Sequence, residues 1–187
     1  TEISFAKDIS VVILCYKAGK EVGVFIDEVK QSLVSRGLSY ELVLVANYSA
    51  NERQVDETPS IVKKLAEQDP AITVVSKAKE GMMGWDLRSG LDAASGKTIA
   101  YIDGDGQMPA EDVVRVYDSL MSGDYACAKT YRIKRGDGRK RGFISLVYNT
   151  LLTLLFPKVS VRDANAKPKI FTRQAFEQLR LTSSGWF

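Results

Sequence analysis

Short apolar runs of strand length alternate with amphipathic stretches of helix length along this chain. Residues 9–15 are apolar almost throughout, as in a strand that is covered on both faces. Residues from about 21 to 35 carry apolar side chains at three- and four-residue spacing, and Gly37 follows as a helix stop. Strands and helices that alternate in this way form parallel sheets with helices on both sides.

The same alternation continues through the first 110 residues. Further strands are predicted at residues 40–46, 71–76 and 98–102, and further helices at 55–67, at 85–94 and from about 110. We therefore predict an α/β fold with a mostly parallel, Rossmann-like sheet. The 187 residues are enough for one sizeable core. We expect a single domain over residues 1–187, truncated at its C-terminal end.

The composition excludes several kinds of chemistry. The chain contains no histidine, which excludes Ser-His-Asp and Cys-His catalysis and nearly every catalytic zinc site. Its two cysteines, Cys15 and Cys127, are too few for a disulfide framework, and each falls in an apolar run typical of a buried strand. We expect a reducing, cytoplasmic environment.

The segment at 103–109, Asp-Gly-Asp-Gly-Gln-Met-Pro, directly follows the fourth predicted strand. Ligands of open α/β sheets bind at this end of the strands. Asp103 and Asp105 are separated by one glycine, so both carboxylates can face one hard cation, Mg2+ or Mn2+. An acidic turn before a helix remains an alternative, as does a phosphatase with Asp103 as nucleophile and Asp105 as acid. An EF-hand is excluded, because Met108 and Val114 occupy the positions of its glycine and glutamate.

A basic run follows, in which seven of the thirteen residues at 129–141 are Lys or Arg. Arg141 and Ser145 are one helical turn apart and could clamp a phosphate between them. The apolar segment at 143–156 is too short to span a bilayer but suits an isoprenoid tail or a membrane surface. A solvated loop followed by a core helix is the alternative. Nucleic acid is not expected, because aromatic residues for base stacking are not interleaved beyond Tyr131.

These motifs resemble those of the GT-A-fold glycosyltransferases of family 2, in particular the branch of dolichyl-phosphate mannose synthases and polyprenyl-phosphate glycosyltransferases. The segment at 103–109 is similar to the family's Asp-x-Asp-x-Gln-x-Pro metal motif. Residues 81–96 resemble its glycine-bounded helix before the metal strand, and the first strand with Tyr16 resembles its opening nucleotide-binding turn. The resemblance implies a GT-A fold and a metal held by Asp103, Asp105 and Gln107.

The resemblance also implies roles for other residues. Those expected at a GDP- or UDP-linked sugar donor are Leu14, Tyr16, Lys17, Asn47, Gly81, Arg88, Asp103, Gly104 and Asp105. Those expected at the acceptor phosphate are Arg132, Arg141 and Ser145, with Arg135 or Arg139 sharing the task. Asp163 resembles a turn residue that is structural or orients the substrate. After the second strand, Ala46 and Asn47 stand where the family usually has acids, and Asn47 is expected to hydrogen-bond a base edge.

The function implied is an inverting transfer of a sugar to a polyprenyl phosphate, catalysed at the cytoplasmic face of a membrane. A phosphate acceptor is already anionic at neutral pH, so it needs no general base, which agrees with the absence of histidine. Other hypotheses remain: a saccharide hydroxyl as acceptor, an aspartate-based phosphatase or phosphotransferase, and a non-catalytic module that binds nucleotide sugars.

Overall fold

The computed structural model of the chain describes residues 5–49, 56–131, 150, 154–155, 163 and 165–185. The strands are β1 (Ile9–Leu14), β2 (Tyr40–Val45), β3 (Ile72–Val75), β4 (Thr98–Asp103), β5 (Cys127–Lys129) and β6 (Lys169–Thr172). The α-helices are α1 (Val22–Ser35), α2 (Thr58–Gln68), α3 (Met83–Leu91), α4 (Asp112–Met121) and α5 (Arg173–Gln178). A 3₁₀ turn, Gly19–Glu21, leads into α1.

The six strands form one sheet in the order β3-β2-β1-β4-β6-β5. Neighbouring strands from β3 to β4 run parallel to one another, whereas β6 runs antiparallel to β4 on one side and to β5 on the other. The prediction of a mostly parallel sheet is therefore confirmed. Because parallel strands end at one edge, the carboxyl ends of β1, β2 and β4 meet there, and the residues that follow them can form one site.

Both faces of the sheet are covered by helices. Alternate side chains of β1 point to opposite sides, so that Val11 packs in one buried cluster and Val12 in the other. The first cluster contains apolar side chains of α1, α2 and α4, such as Phe25, and the second contains Leu87 and Leu91 of α3. The prediction of helices on both faces is confirmed.

The two cysteines differ in their surroundings. Cys15 follows β1 and is fully buried, and desolvation of the thiolate raises the pKa of its thiol to about 12. Cys127 is exposed, so the prediction that it lies in a buried strand is wrong. The physical reason is that β5 is a three-residue strand at the edge of the sheet.

Much of the expected acceptor region falls outside the described residues. Arg132, Arg135, Arg139, Arg141 and Ser145 all lie there. Of the apolar segment at 143–156, the described positions include Leu154 and Leu155, whose side chains are exposed. In the described part of the chain, no helix is long and apolar enough to cross a membrane.

Candidate active site

A cavity of about 520 Å³ opens at the carboxyl ends of β1, β2 and β4. Its walls come from four short stretches of chain that follow strands or lead into α3. The lining residues are Leu14, Tyr16, Lys17, Ala18, Val45, Ser49, Lys79, Gly81, Met82, Met83, Asp86, Asp103 and Asp105. The structure thus brings most of the residues expected at the donor and metal to a single cavity.

The two carboxylates of the 103–109 segment are held by a tight turn. Asp103 is the last residue of β4, and the backbone N–H of Gly104 donates to the carbonyl of Leu14 at 2.8 Å. A Cβ at position 104 would lie 3.1 Å from that carbonyl oxygen, so this close approach of β4 to β1 favours glycine. The exposed Asp105 then accepts a hydrogen bond at 3.1 Å from the backbone N–H of Gln107. The turn therefore directs both carboxylates into the cavity.

A buried lysine contacts the first of these carboxylates. The Nζ of Lys167 lies 2.7 and 2.9 Å from the two oxygens of Asp103, and the Lys167 side chain is only 10% exposed. The antiparallel register explains the contact. Tyr101 pairs with Lys169, so the residue two positions after Tyr101, which is Asp103, faces the residue two positions before Lys169, which is Lys167.

Asp103 and Asp105 supply the carboxylate oxygens that Mg2+ and Mn2+ prefer. Among the residues described, no group of three or more acidic, cysteine or histidine side chains could hold a metal ion. The Gln107 side chain is exposed and does not line the cavity. The donor set thus fits a hard cation that takes only part of its coordination from the protein and the rest from substrate oxygens.

Asp86, which also lines the cavity, is the centre of a buried polar network. One carboxylate oxygen of Asp86 accepts from Nδ2 of Asn47 at 2.9 Å, and the other accepts from the ammonium of Lys79. The same Asn47 amide also donates to the hydroxyl of Ser89 at 3.1 Å, and its carbonyl accepts from the backbone N–H of Lys77 at 2.9 Å. Asn47 is 1% exposed, so this amide is oriented toward α3 and not toward an open cavity.

Lys79 links this network to an aromatic surface. Its Nζ lies 3.8 Å from the centroid of the Tyr16 ring, within the range of a cation–π contact. The Tyr16 ring is 37% exposed beside the cavity, and the next residue, Lys17, has a φ of 54°. An exposed ring next to two lysines suits a ligand that combines a flat heterocycle with phosphates.

Two expected donor residues on the segment before β4 differ in position. Gly81 lines the cavity, and a Cβ there would lie 2.6 Å from the carbonyl oxygen of Ser184. Arg88 instead lines a second cavity, of about 450 Å³, where its guanidinium donates to the carbonyl of Thr182 at 3.0 Å. Residues two apart on a helix point about 200° apart, so Asp86 and Arg88 face different cavities.

Three charged residues at the site escaped the sequence analysis: Lys79, Asp86 and Lys167. Asp86 could have been found from local sequence, because it lies in the first turn of α3, the end of the helix that lines the cavity. Lys167 carried none, because its contact with Asp103 spans 64 positions and depends on an antiparallel strand pair.

The sequence profile of glycosyl transferase family 2 matches residues 10–180. The chain belongs to this family. The match extends from the second residue of β1 to beyond α5, and so it includes every element that builds the cavity.

Curated relatives include glycosyltransferase AglD of Haloferax volcanii, which is 33% identical over 138 residues. That alignment covers 71% of this chain and 22% of the relative. Bactoprenol glucosyl transferase of Shigella phage SfV is 27% identical over 92% of this chain and 54% of its own length. Dodecaprenyl-phosphate galacturonate synthase of Rhizobium johnstonii is 24% identical over 93% of this chain and 50% of its own length. The chain spans about half the length of the last two relatives.

Solved structures with the same architecture include mannosyl-3-phosphoglycerate synthase from Rubrobacter xylanophilus, with a TM-score of 0.69 and 19% identity over 90% of this chain and 54% of that chain. Mannosyltransferase PcManGT from Pyrobaculum calidifontis, in complex with GDP-Man and Mn2+, gives a TM-score of 0.64 and 22% identity over 97% and 49%. At these identities the similarity shows the fold, and the expected GT-A fold is confirmed.

Proposed function

We propose that this chain is the catalytic domain of an inverting glycosyltransferase that moves a sugar from a nucleotide sugar to a polyprenyl phosphate. The observation that carries the proposal is the cavity at the strand ends, which is lined by Asp103 and Asp105 as well as by Tyr16 and Lys79. Carboxylates that suit a cation, together with an exposed ring beside lysines, match the diphosphate and the base of a nucleotide diphosphate.

The relatives support this choice of substrates. Bactoprenol glucosyl transferase and dodecaprenyl-phosphate galacturonate synthase are named for transfers that involve polyprenyl lipids. One of the GT-A structures named above is a complex with GDP-Man and Mn2+. Another structure of this fold, glucosyl-3-phosphoglycerate synthase from Mycobacterium tuberculosis, is a complex that contains UDP and Mn2+. The latter shares 22% identity and has a TM-score of 0.66 over 90% of this chain and 57% of that chain.

In the proposed reaction, a phosphate oxygen of the acceptor attacks the anomeric carbon of the donor sugar. The new carbon–oxygen bond forms as the bond to the nucleotide diphosphate breaks, and the electron pair of that bond leaves with the diphosphate. A divalent ion held by Asp103 and Asp105 would neutralise the charge that develops there. Lys17 lines the same cavity and adds positive charge to it, whereas the charge of Lys79 is paired with Asp86.

The nucleophile needs no proton removed, because a phosphate monoester is already ionised at neutral pH. This agrees with a chain that lacks histidine. Positioning and charge stabilisation are then the whole catalytic task. For the acceptor phosphate, the proposal retains Arg132, Arg141 and Ser145, which rest on the sequence alone. A lipid-linked acceptor would place the reaction at the surface of a membrane.

The binding part of the proposal can be tested by thermal unfolding with UDP, GDP, UDP-glucose or GDP-mannose, each with and without Mn2+. A ligand at a hundredfold excess over its Kd stabilises the native state by about 2.7 kcal/mol. We expect a Mn2+-dependent rise in Tm with at least one nucleotide, and loss of that rise in Asp105→Asn. Glu111→Gln, a change in a neighbouring acid outside the cavity lining, is the control and should keep the rise. A chain that gives no such rise with any of these ligands contradicts the proposal.

The transfer part of the same experiment uses the nucleotide sugar that binds. Product formation is compared with undecaprenyl phosphate and with undecaprenol in detergent micelles. We expect transfer to the phosphate only, because the alcohol requires a general base. Equal transfer to both lipids would contradict the phosphate acceptor, and nucleotide binding without any transfer would favour a non-catalytic binding module.

A further inference from the structure

We propose that Lys167 is a positioning residue that occupies the Asp103 carboxylate and so makes divalent cation binding depend on the nucleotide diphosphate. The inference rests on the proposed function, because it assumes a metal at Asp103 and Asp105. It gives the Lys167 ammonium, which the proposed function leaves without a role, a part in metal binding.

The ammonium of Lys167 contacts both carboxylate oxygens of Asp103, and the contact is partly buried. Both carboxylate oxygens accept from the Lys167 ammonium, at 2.7 and 2.9 Å. The Lys167 side chain is 10% exposed and the Asp103 side chain 32%. The same ammonium lies 3.3 Å from the sulfur of Met83, another residue of the cavity lining. Charge pairs in such places are screened less by water and salt than surface pairs.

The segment that carries Lys167 is fixed by hydrogen bonds to the end of β5. The hydroxyl of Thr130 donates to the carbonyl of Lys167 at 2.7 Å, and the backbone N–H of Thr130 donates to the carbonyl of Pro168 at 3.2 Å. The ammonium of Lys129 donates to the carbonyl of Asp163 at 2.9 Å, at the start of the same turn. The backbone at Lys167 is therefore held in place by residues at the end of β5.

An ammonium on Asp103 changes what the acidic pair can bind. A divalent cation at Asp103 has to share the carboxylate with a positive charge that is already in contact with it, and the like charges repel. The pair then offers only the charge of Asp105 to a free metal ion. A nucleotide diphosphate brings negative charge and oxygen ligands of its own, and these offset the ammonium. We therefore infer weak metal binding without nucleotide and strong binding with it.

The test measures Mn2+ affinity of the full chain by electron paramagnetic resonance of the free ion, alone and with saturating UDP or GDP. The first variant is Lys167→Met, which removes the charge. The second is Lys167→Gln, which also removes the charge but keeps a hydrogen-bond donor, and it is used if the methionine variant folds poorly. Lys167→Arg keeps the charge. Lys169→Met removes a charge two residues away, at the first position of β6, and controls for the general effect of positive charge near the site.

We expect the wild type to bind Mn2+ much more tightly with nucleotide than without it. In Lys167→Met and Lys167→Gln, Mn2+ alone should bind more tightly, and the factor by which nucleotide raises Mn2+ affinity should fall about fivefold or more. Linkage requires the same fall in the factor by which Mn2+ raises nucleotide affinity. Lys167→Arg and Lys169→Met should stay close to the wild type.

Two outcomes overturn the inference, and they differ in scope. If the wild type binds Mn2+ with nucleotide and neither uncharged variant changes the coupling factor, Lys167 has no such role while the proposed function stands. If the wild type shows no coupling between Mn2+ and either nucleotide, the proposed function and the role of Lys167 both fail.

Discussion

At the scale of single residues, the polar network around Asp86 fixes the side chains that follow β2 and precede α3. Asn47 stands at the end of β2 with its amide fixed by the backbone of Lys77. Its Nδ2 then donates to the carboxylate of Asp86 on α3. Asp86 in turn holds Lys79 against the ring of Tyr16. The charge of this part of the cavity lining is thus set by Asp86 on α3 and by Lys79 before that helix.

The pair of Lys79 and Asp86 is expected to matter for stability as well as for shape, because their side chains are 12% and 6% exposed. Removing one partner of a buried pair leaves a charge without its counterion, so Asp86→Ala should lower the free energy of unfolding by about 3 kcal/mol. The double variant Lys79→Met/Asp86→Ala should recover part of this loss. Urea denaturation at equilibrium measures both.

The matched control is Asp118→Ala, which breaks the ion pair of Asp118 with Arg36. Those side chains are 47% and 52% exposed, so the expected loss is below about 1 kcal/mol. Equal losses for the two alanine variants would contradict a special cost at Asp86.

At the scale of elements, the packing of α3 on the sheet positions Asp86 over the cavity. Gly90 makes this packing possible. A Cβ at position 90 would lie 2.5 Å from Cγ1 of Val12 and 2.5 Å from Cγ2 of Val45, both in the sheet beneath. The helix can therefore lie close enough to β1 and β2 for Asp86 to reach Asn47.

Gly90→Ala should force α3 away from the sheet and lower the free energy of unfolding by about 1 to 3 kcal/mol, as other overpacked cores do. Gly23→Ala is the control, because Gly23 lies in α1 with no atom within 4 Å of its would-be Cβ. That change should stabilise the chain by about 0.5 to 1 kcal/mol. Thermal and urea unfolding of both variants check that the free energy of unfolding changes in opposite directions. A stabilising effect of Gly90→Ala would rule out close packing of α3 on the sheet at this position.

The elements also show what the sequence could predict. Residues 9–15 and 21–35 were predicted as a strand and a helix, and β1 and α1 end within one residue of those bounds, since periodicity is a local signal. The pairing of β6 with β4 is not local, and Lys167 was missed for that reason. Arg88 was expected at the donor because the segment resembles the family helix, whereas its position on α3 turns it toward the second cavity.

At the scale of the whole molecule, a few charged contacts tie together elements that are far apart in sequence. Lys30 of α1 lies 2.5 Å from the carboxylate of Asp69, at the end of α2, with side chains 28% and 21% exposed. The same carboxylate accepts from the backbone N–H of Ala71 at 2.9 Å, just before β3. One carboxylate therefore joins two helices and a strand on the same side of the sheet.

These contacts hold the pKa of Asp69 below its ordinary value of 3.8, with the hydrogen bond from Lys30 as the largest cause and that from Ala71 next. A carboxyl whose pKa is lower in the folded state stabilises the fold fully above its unfolded pKa. The free energy of unfolding should therefore fall as the pH drops from about 5 through 3.8 and on through the folded pKa. In the same contact the pKa of Lys30 is raised above 10.5, so its contribution is lost only at strongly alkaline pH.

Asp69→Asn should make the free energy of unfolding depend less steeply on pH below about 5, a dependence called the acid slope below, and should leave its dependence above pH 5 unchanged. The slope reports the protons taken up on unfolding, and Asn takes up none. Urea unfolding at a series of pH values measures it. Lys30→Met supplies the matched background: with the largest cause of the shift removed, Asp69→Asn should change the acid slope less than it does in the wild-type chain. An acid slope that is the same with and without Asp69 would show that this carboxylate does not link the two helices in solution.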